Sequence, residues 1–118
     1  MLQRCKDRPE CFDNILDDSN FMFIRAYDDK GTYGYLGLGF LAPKMAFVHV
    51  HLTRFGPSVL IKAKNDWHHI VQALKNDGIE LLSTQQLGTK EDHATWIKFI
   101  RHCGFTEVDQ FISATMRI

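Results

Sequence analysis

The chain carries no surplus charge of either sign: 14 Lys and Arg stand against 14 Asp and Glu in 118 residues, for a formal net charge of zero. That argues against non-specific nucleic-acid binding, which needs a basic surface to displace counterions. Long apolar runs are missing too. The longest candidate, Leu36 to Val48, is interrupted by Pro43 and Lys44 and falls short of the ~18 residues of a membrane-spanning helix. The first residues, Met1 to Lys6, lack the apolar core of a secretory signal. Cysteine is sparse and odd in number, at Cys5, Cys11 and Cys103. This excludes a disulfide scaffold and points to a reducing, cytoplasmic compartment. The spacing of Cys5 and Cys11 matches no zinc motif. There are no repeats, low-complexity tracts or linkers. With 45% apolar and 24% charged residues, the chain reads as one globular domain over residues 1–118 with a single core.

The first half alternates with period two. Arg8 to Leu16 reads as a short helix with Phe12, Ile15 and Leu16 on one side, ended by Asp17-Asp18-Ser19-Asn20. Phe21 to Tyr27 reads as a strand, with Phe21, Phe23, Arg25 and Tyr27 on one face and Met22, Ile24 and Ala26 on the other. Asp28-Asp29-Lys30-Gly31 is a hairpin turn. The return strand, Tyr33 to Leu41, contains Gly34, Gly37 and Gly39. These glycines leave two readings open: a bulged edge strand, or a strand lining a ligand groove. Ala42-Pro43-Lys44 turns the chain into a third strand, Met45 to Leu52.

After Gly56-Pro57 the period changes to near 3.6. Leu60, Ala63, Trp67, Ile70, Val71 and Leu74 form an apolar stripe, with Ser58 placed to cap the start and Gly78 the end. Ile79 to Thr84 then reads as a parallel strand, which makes a right-handed crossover. The last helix, Glu91 to Cys103, has Thr89 and Asp92 at capping-box spacing and acidic and basic ends that suit its dipole. Its buried stripe is Trp96, Ile97, Ile100 and Cys103. Gly104 is placed for the left-handed C-terminal conformation, with Phe105 folding back. The tail, Thr106 to Ile118, is β-like, with Val108, Ile112, Ala114 and Met116 as core positions. The sum is α/β with a mixed sheet, antiparallel at the front and parallel across the crossover.

Two patterns carry chemistry. The turn Thr53-Arg54-Phe55-Gly56-Pro57-Ser58 opens the long helix, and a helix N-terminus with a nearby Gly can receive an anion. A plain strand-to-helix turn with a capping serine fits the same residues. His49 and His51 share one face of the third strand, and imidazole suits a general base. Packing in and at the edge of the sheet is the plainer reading. A metal pair with His68, His69 or His93 as third ligand has no supporting motif, so the site is read as metal-free.

The element order, the Gly56 turn and the helix running into Gly104-Phe105 together resemble the GNAT superfamily of acetyl-CoA-dependent N-acetyltransferases over Phe21 to Ile118. More loosely, the compact chain is similar to small acetyltransferase-like proteins of short-tailed bacteriophages, some of which are virion components. The resemblance implies a three-layer fold, acetyl-CoA as cofactor and an amine as substrate. In that family a Gln/Arg-x-x-Gly-x-Gly/Ala turn cradles the pyrophosphate. The matching positions here are Thr53, Gly56 and Ser58, with Pro57 removing one amide and Arg54 adding charge. Backbone groups of Val50 and Leu52 are implied to position the cofactor, and His49 or His51 to act as base. The family's tyrosine acid, four residues before the Gly of Gly-Phe, falls on Ile100, which cannot give a proton. An asparagine seven residues earlier falls on His93. The alternative is a non-catalytic domain of the same fold, serving as a binding or virion module for a protein partner or a second copy of the chain.

Overall fold

The computed structural model describes all residues except 14, 16–18, 55, 86–92, 106 and 109–112, with the side chains of 41, 85, 93–97, 107–108 and 113–115 also outside the description. The strands are β1 (Leu2–Arg4), β2 (Phe21–Asp28), β3 (Gly31–Ala42), β4 (Met45–Leu52), β5 (Leu81–Gln85), β6 (Glu107–Val108) and β7 (Ser113–Arg117), and the α-helices are α1 (Pro57–Asn76) and α2 (His93–His102). They form one sheet in the order β1-β2-β3-β4-β5-β7-β6. All neighbours are antiparallel except β4 and β5, which the α1 crossover makes parallel.

The helical faces and the sheet meet as the periodicity predicts. Leu36, Leu38, Val48 and Leu82 point to the side where α1 and α2 lie, and pack with Trp67, Ile70, Leu74, Ile100 and Phe105. Each fully buried aliphatic side chain contributes about 1.5–3 kcal/mol. On α1 the stripe includes Val59, while Leu60 and Val71 are only half-buried. Both helices end alike. Gly104 adopts φ +99; its amide donates to Arg101 O at 3.1 Å, and that of Phe105 to Ile100 O at 3.1 Å. Gly78 repeats the arrangement, with its amide on Lys75 O at 3.1 Å and the Ile79 amide on Leu74 O at 3.0 Å. These are Schellman pairs, in which the residue after the glycine returns to the core. Phe105 accordingly lies 5.8 Å from Trp67, ring to ring.

Several expectations change. The start of the chain is a strand, β1, paired to β2; three residues with mostly exposed side chains left no periodic signal. Arg8 to Leu16 gives only a 3-10 turn at Glu10–Phe12 among the described residues, which seats Phe12 and Ile15 against Phe23. Ser58 does not cap α1: Gly56 is the N-cap, Pro57 takes the first helical position and no side chain caps the end. The fixed φ of proline suits that position. The glycine-rich strand is central, between β2 and β4, so the edge reading falls. Two of its glycines, Gly37 and Gly39, clear space for aromatic rings. A Cβ on Gly39 would come within 2.6 Å of the Phe21 ring, and one on Gly37 within 3.2 Å of Phe23. Thr89 and Asp92, expected to cap α2, lie outside the described residues, as does Ile112 in the tail.

Candidate cofactor cleft

Among the described residues, β4 pairs with β5 from Met45 with Leu81 to Val48 with Thr84, while its pairing with β3 runs up to Leu52. At that last pair the Thr84 hydroxyl donates to Val48 O at 2.6 Å. Beyond it, the β5-side edge of His49–Leu52 carries no strand among the described residues. Val50 and Leu52 face the helices, and both line a cavity of about 30 Å³ beneath α1 and α2, walled also by Gly34, Thr84, Phe99 and Ile100. Leu52, Ala63 and Phe99 are shared with a larger, outer cavity of about 350 Å³. The outer cavity reaches Gly56 and Pro57 at the start of α1, with Lys98 and His102 on its α2 side.

The turn at the mouth is built around Gly56. Its φ of 145° and ψ of 165° fall in a region essentially reserved for glycine, and a Cβ there would meet open space. With no side-chain cap on α1, the amides of Ser58 and Val59 in its first turn point out of the helix start without an intrahelical acceptor. Thr53 and Arg54 turn the other way. Thr53 Oγ1 donates to Thr32 O at 3.2 Å, and Arg54 Nη2 pairs with Asp28 Oδ1 at 2.6 Å. The compensating charge expected of Arg54 is therefore spent on the β2–β3 hairpin. Among the described residues, Lys98 brings a cation to the cavity instead, with His102 beside it. They are one helical turn apart near the end of α2, a spacing that the sequence reading used only for the helix dipole.

The two histidines differ. His51 is exposed and lies opposite Tyr35 in the ladder. His49 is half-buried, its ring stacked 5.8 Å from Phe21 and 6.5 Å from Phe12. Its buried Nδ1 has no hydrogen-bond partner among the described residues, and desolvation lowers its pKa from the ordinary imidazole value. Both side chains lie on the sheet face away from the two cavities, because alternation sends Val48, Val50 and Leu52 to the other side. His93 begins α2, and its side chain is outside the description.

No phenol stands where a tyrosine acid is expected. Ile100 is 1% exposed and sits in the core. Tyr33 and Tyr35 both contribute to the inner cavity wall, but the Tyr35 side chain packs on the opposite face with Phe12 and Phe23, and the Tyr33 hydroxyl donates to Asp66. Burial and then Asp66 push its pKa above the usual tyrosine range. Cys103 also lines the inner cavity. Burial pushes its thiol up to about 12, so it carries no thiolate at neutral pH. Among the described residues no group of three His, Cys, Asp or Glu side chains forms a metal cluster, and no helix is long and apolar enough to cross a membrane.

No protein-family model matches the sequence, and no curated protein does. Solved structures do match in fold. An IAA acetyltransferase from Bacillus cereus has a TM-score of 0.70 at 16% identity, over 100% of this chain and 99% of its own. An acetyltransferase from Bacillus subtilis in complex with CoA has a TM-score of 0.70 at 9% identity, over 99% and 97%. The aminoglycoside acetyltransferase AAC(6')-Ib, in complex with coenzyme A and kanamycin, has a TM-score of 0.63 at 12% identity, over 88% and 70%. The chain therefore has the fold of the GNAT acetyltransferases.

Proposed function

We propose that this chain binds acetyl-CoA in the cleft between β4 and β5 and transfers the acetyl group to an amine. The observation that supports the reading is that the β4–β5 pairing ends at Val48 and Thr84 among the described residues, beside the cavity at the start of α1. The residues present fit such a ligand. The His49–Leu52 backbone edge suits the amide groups of a pantetheine arm. Gly56 leaves room at the mouth, the Ser58 and Val59 amides suit a pyrophosphate, Lys98 supplies positive charge, and His102 offers ring N–H donation. Acetyl-CoA supplies an activated acyl group when bound. On the chain's side, His49 is the better candidate base, serving an amine that approaches from the sheet face away from the cavities: its buried Nδ1 has no hydrogen-bond partner among the described residues, which calls for an explanation. Its lowered pKa leaves the ring unprotonated at neutral pH, as a general base must be. No side chain at position 100 returns a proton to the departing sulfur.

That last point favours a second reading, in which the fold binds CoA without turnover and serves as an accessory or virion module with a protein partner. Thermal unfolding with and without CoA tests the shared premise. CoA at 100 times its dissociation constant adds about 2.7 kcal/mol of stability, and an unchanged melting temperature at millimolar CoA rules out the cofactor. Release of free CoA from acetyl-CoA across a panel of amines then separates the readings. Turnover that survives in His51→Ala and is lost in His49→Gln supports the base; no turnover with any amine, despite CoA binding, leaves the binding module.

A further inference from the structure

The turn that opens α1 is held by one hairpin. The amides of Thr53 and Arg54 both donate to Tyr33 O, at 2.9 and 3.4 Å. Arg54 Nε donates to Thr32 O at 3.3 Å, and its Nη2 to Gly31 O at 3.1 Å and to Asp28 Oδ1 at 2.6 Å. Lys62, from the second turn of α1, donates to the other oxygen of the same carboxylate, Asp28 Oδ2, at 2.9 Å. One carboxylate thus links the turn, the helix and the β2–β3 hairpin. The Asp28 side chain is 7% exposed. The hydrogen bonds from Lys62 and then Arg54 hold it well below the usual carboxylate range. Asp28 lies outside the walls of the outer cavity, so it reaches the site only through what it holds.

We infer that Asp28 is a positioning residue for the phosphate end of the cofactor, fixing the Thr53–Gly56 turn through Arg54 and the start of α1 through Lys62. This rests on the acetyl-CoA reading above. The physical basis is preorganisation. A turn already fixed in its binding conformation loses no further backbone entropy when the ligand arrives. Freeing one residue's backbone is equivalent to about a tenfold change in affinity. It also assigns Arg54 a structural task in place of direct phosphate contact, because its Nε and Nη2 are engaged by the hairpin.

Calorimetric titration with CoA, and with pantetheine as a phosphate-free probe, tests the inference on the full chain. Asp28→Asn is expected to weaken CoA on the order of tenfold, to leave pantetheine unchanged, and to be rescued in part by Asp28→Glu. Arg54→Met is expected to weaken CoA as well and to leave pantetheine unchanged, with the double variant losing less than the sum of the two single losses. This second route holds even where Asp28→Asn folds poorly. Unchanged or tighter CoA binding in Asp28→Asn overturns the inference, as does an equal loss for pantetheine, which marks general loosening. A wild-type chain that binds no CoA overturns the cofactor reading along with it, whereas wild-type binding that Asp28→Asn leaves intact overturns this inference alone.

Discussion

The two faces of β4 are built from alternate residues of one short strand and do different work. Val48, Val50 and Leu52 point to α1 and α2, where Val48 is fully buried and Val50 and Leu52 wall the cavities. His49 and His51 point the other way, His49 against a layer made of Phe12, Phe21 and Phe23 and His51 into solvent. The first face is packed by two helices and lines the proposed ligand cleft. Among the described residues, the second is covered by a 3-10 turn and a few rings, and it carries the candidate base. A one-residue slip of register would exchange the two sets. The proposed cleft and the candidate base therefore depend on the same ladder, from opposite sides of it.

The largest expected contrast is in stability. Leu82 is fully buried on the helix-covered face, so Leu82→Ala should cost about 2–5 kcal/mol. On the other face His51 is exposed, and His51→Ala should stay within about 0.5 kcal/mol. Urea unfolding of both variants measures the difference. Equal losses would break the comparison, because the two faces would then share the load.

A smaller effect is expected at the mouth of the cleft. Gly56→Val forces a branched side chain into φ 145°, which should cost about 1–3 kcal/mol. The space around it is open, so no clash adds to that strain. Gly56→Val should also lose the stabilisation that CoA gives the wild-type chain, read as a melting shift. A variant that keeps the full shift would move the phosphate site away from this turn.

Much of the helix-covered side was legible in the sequence because its determinants are local. The period-3.6 stripe, the glycines after each helix and the apolar Leu81-Leu82 segment all lie within a few residues of what they specify. What stayed hidden is long-range. Asp28 and Arg54 are 26 positions apart, so nothing near Arg54 announces that its charge is already taken. Lys98 and His102 meet Gly56 only because α2 packs beside α1. The role of Gly37 and Gly39 depends on rings from the neighbouring strand, and β1 is recognisable only through its pairing with β2. Ser58 is a different kind of miss. A good capping residue was present, but Pro57 at the first helical position was the stronger local signal.

The smallest effect tests the histidine face and depends on pH. Burial lowers the pKa of His49 in the folded chain, whereas in the unfolded chain an imidazole titrates near ~6.5. Below that value the unfolded state takes up the proton that the folded state resists, so protonation favours unfolding. The stability due to a neutral His49 is thus fully present above about pH 6.5 and declines as pH falls toward the folded pKa, by no more than about 1.4 kcal/mol per pH unit. Carboxylates titrate in the lower part of that range, so the wild-type curve alone does not isolate the effect. His49→Phe does, since it keeps a ring against Phe21 and Phe12 and removes the titrating group. The wild-type chain should lose more stability than His49→Phe between pH 7.5 and 5.5, with the two curves parallel above neutrality. Parallel curves throughout would mean that His49 is protonated as easily folded as unfolded. The aromatic layer would then not desolvate it, and its standing as the base of this fold would rest on position alone.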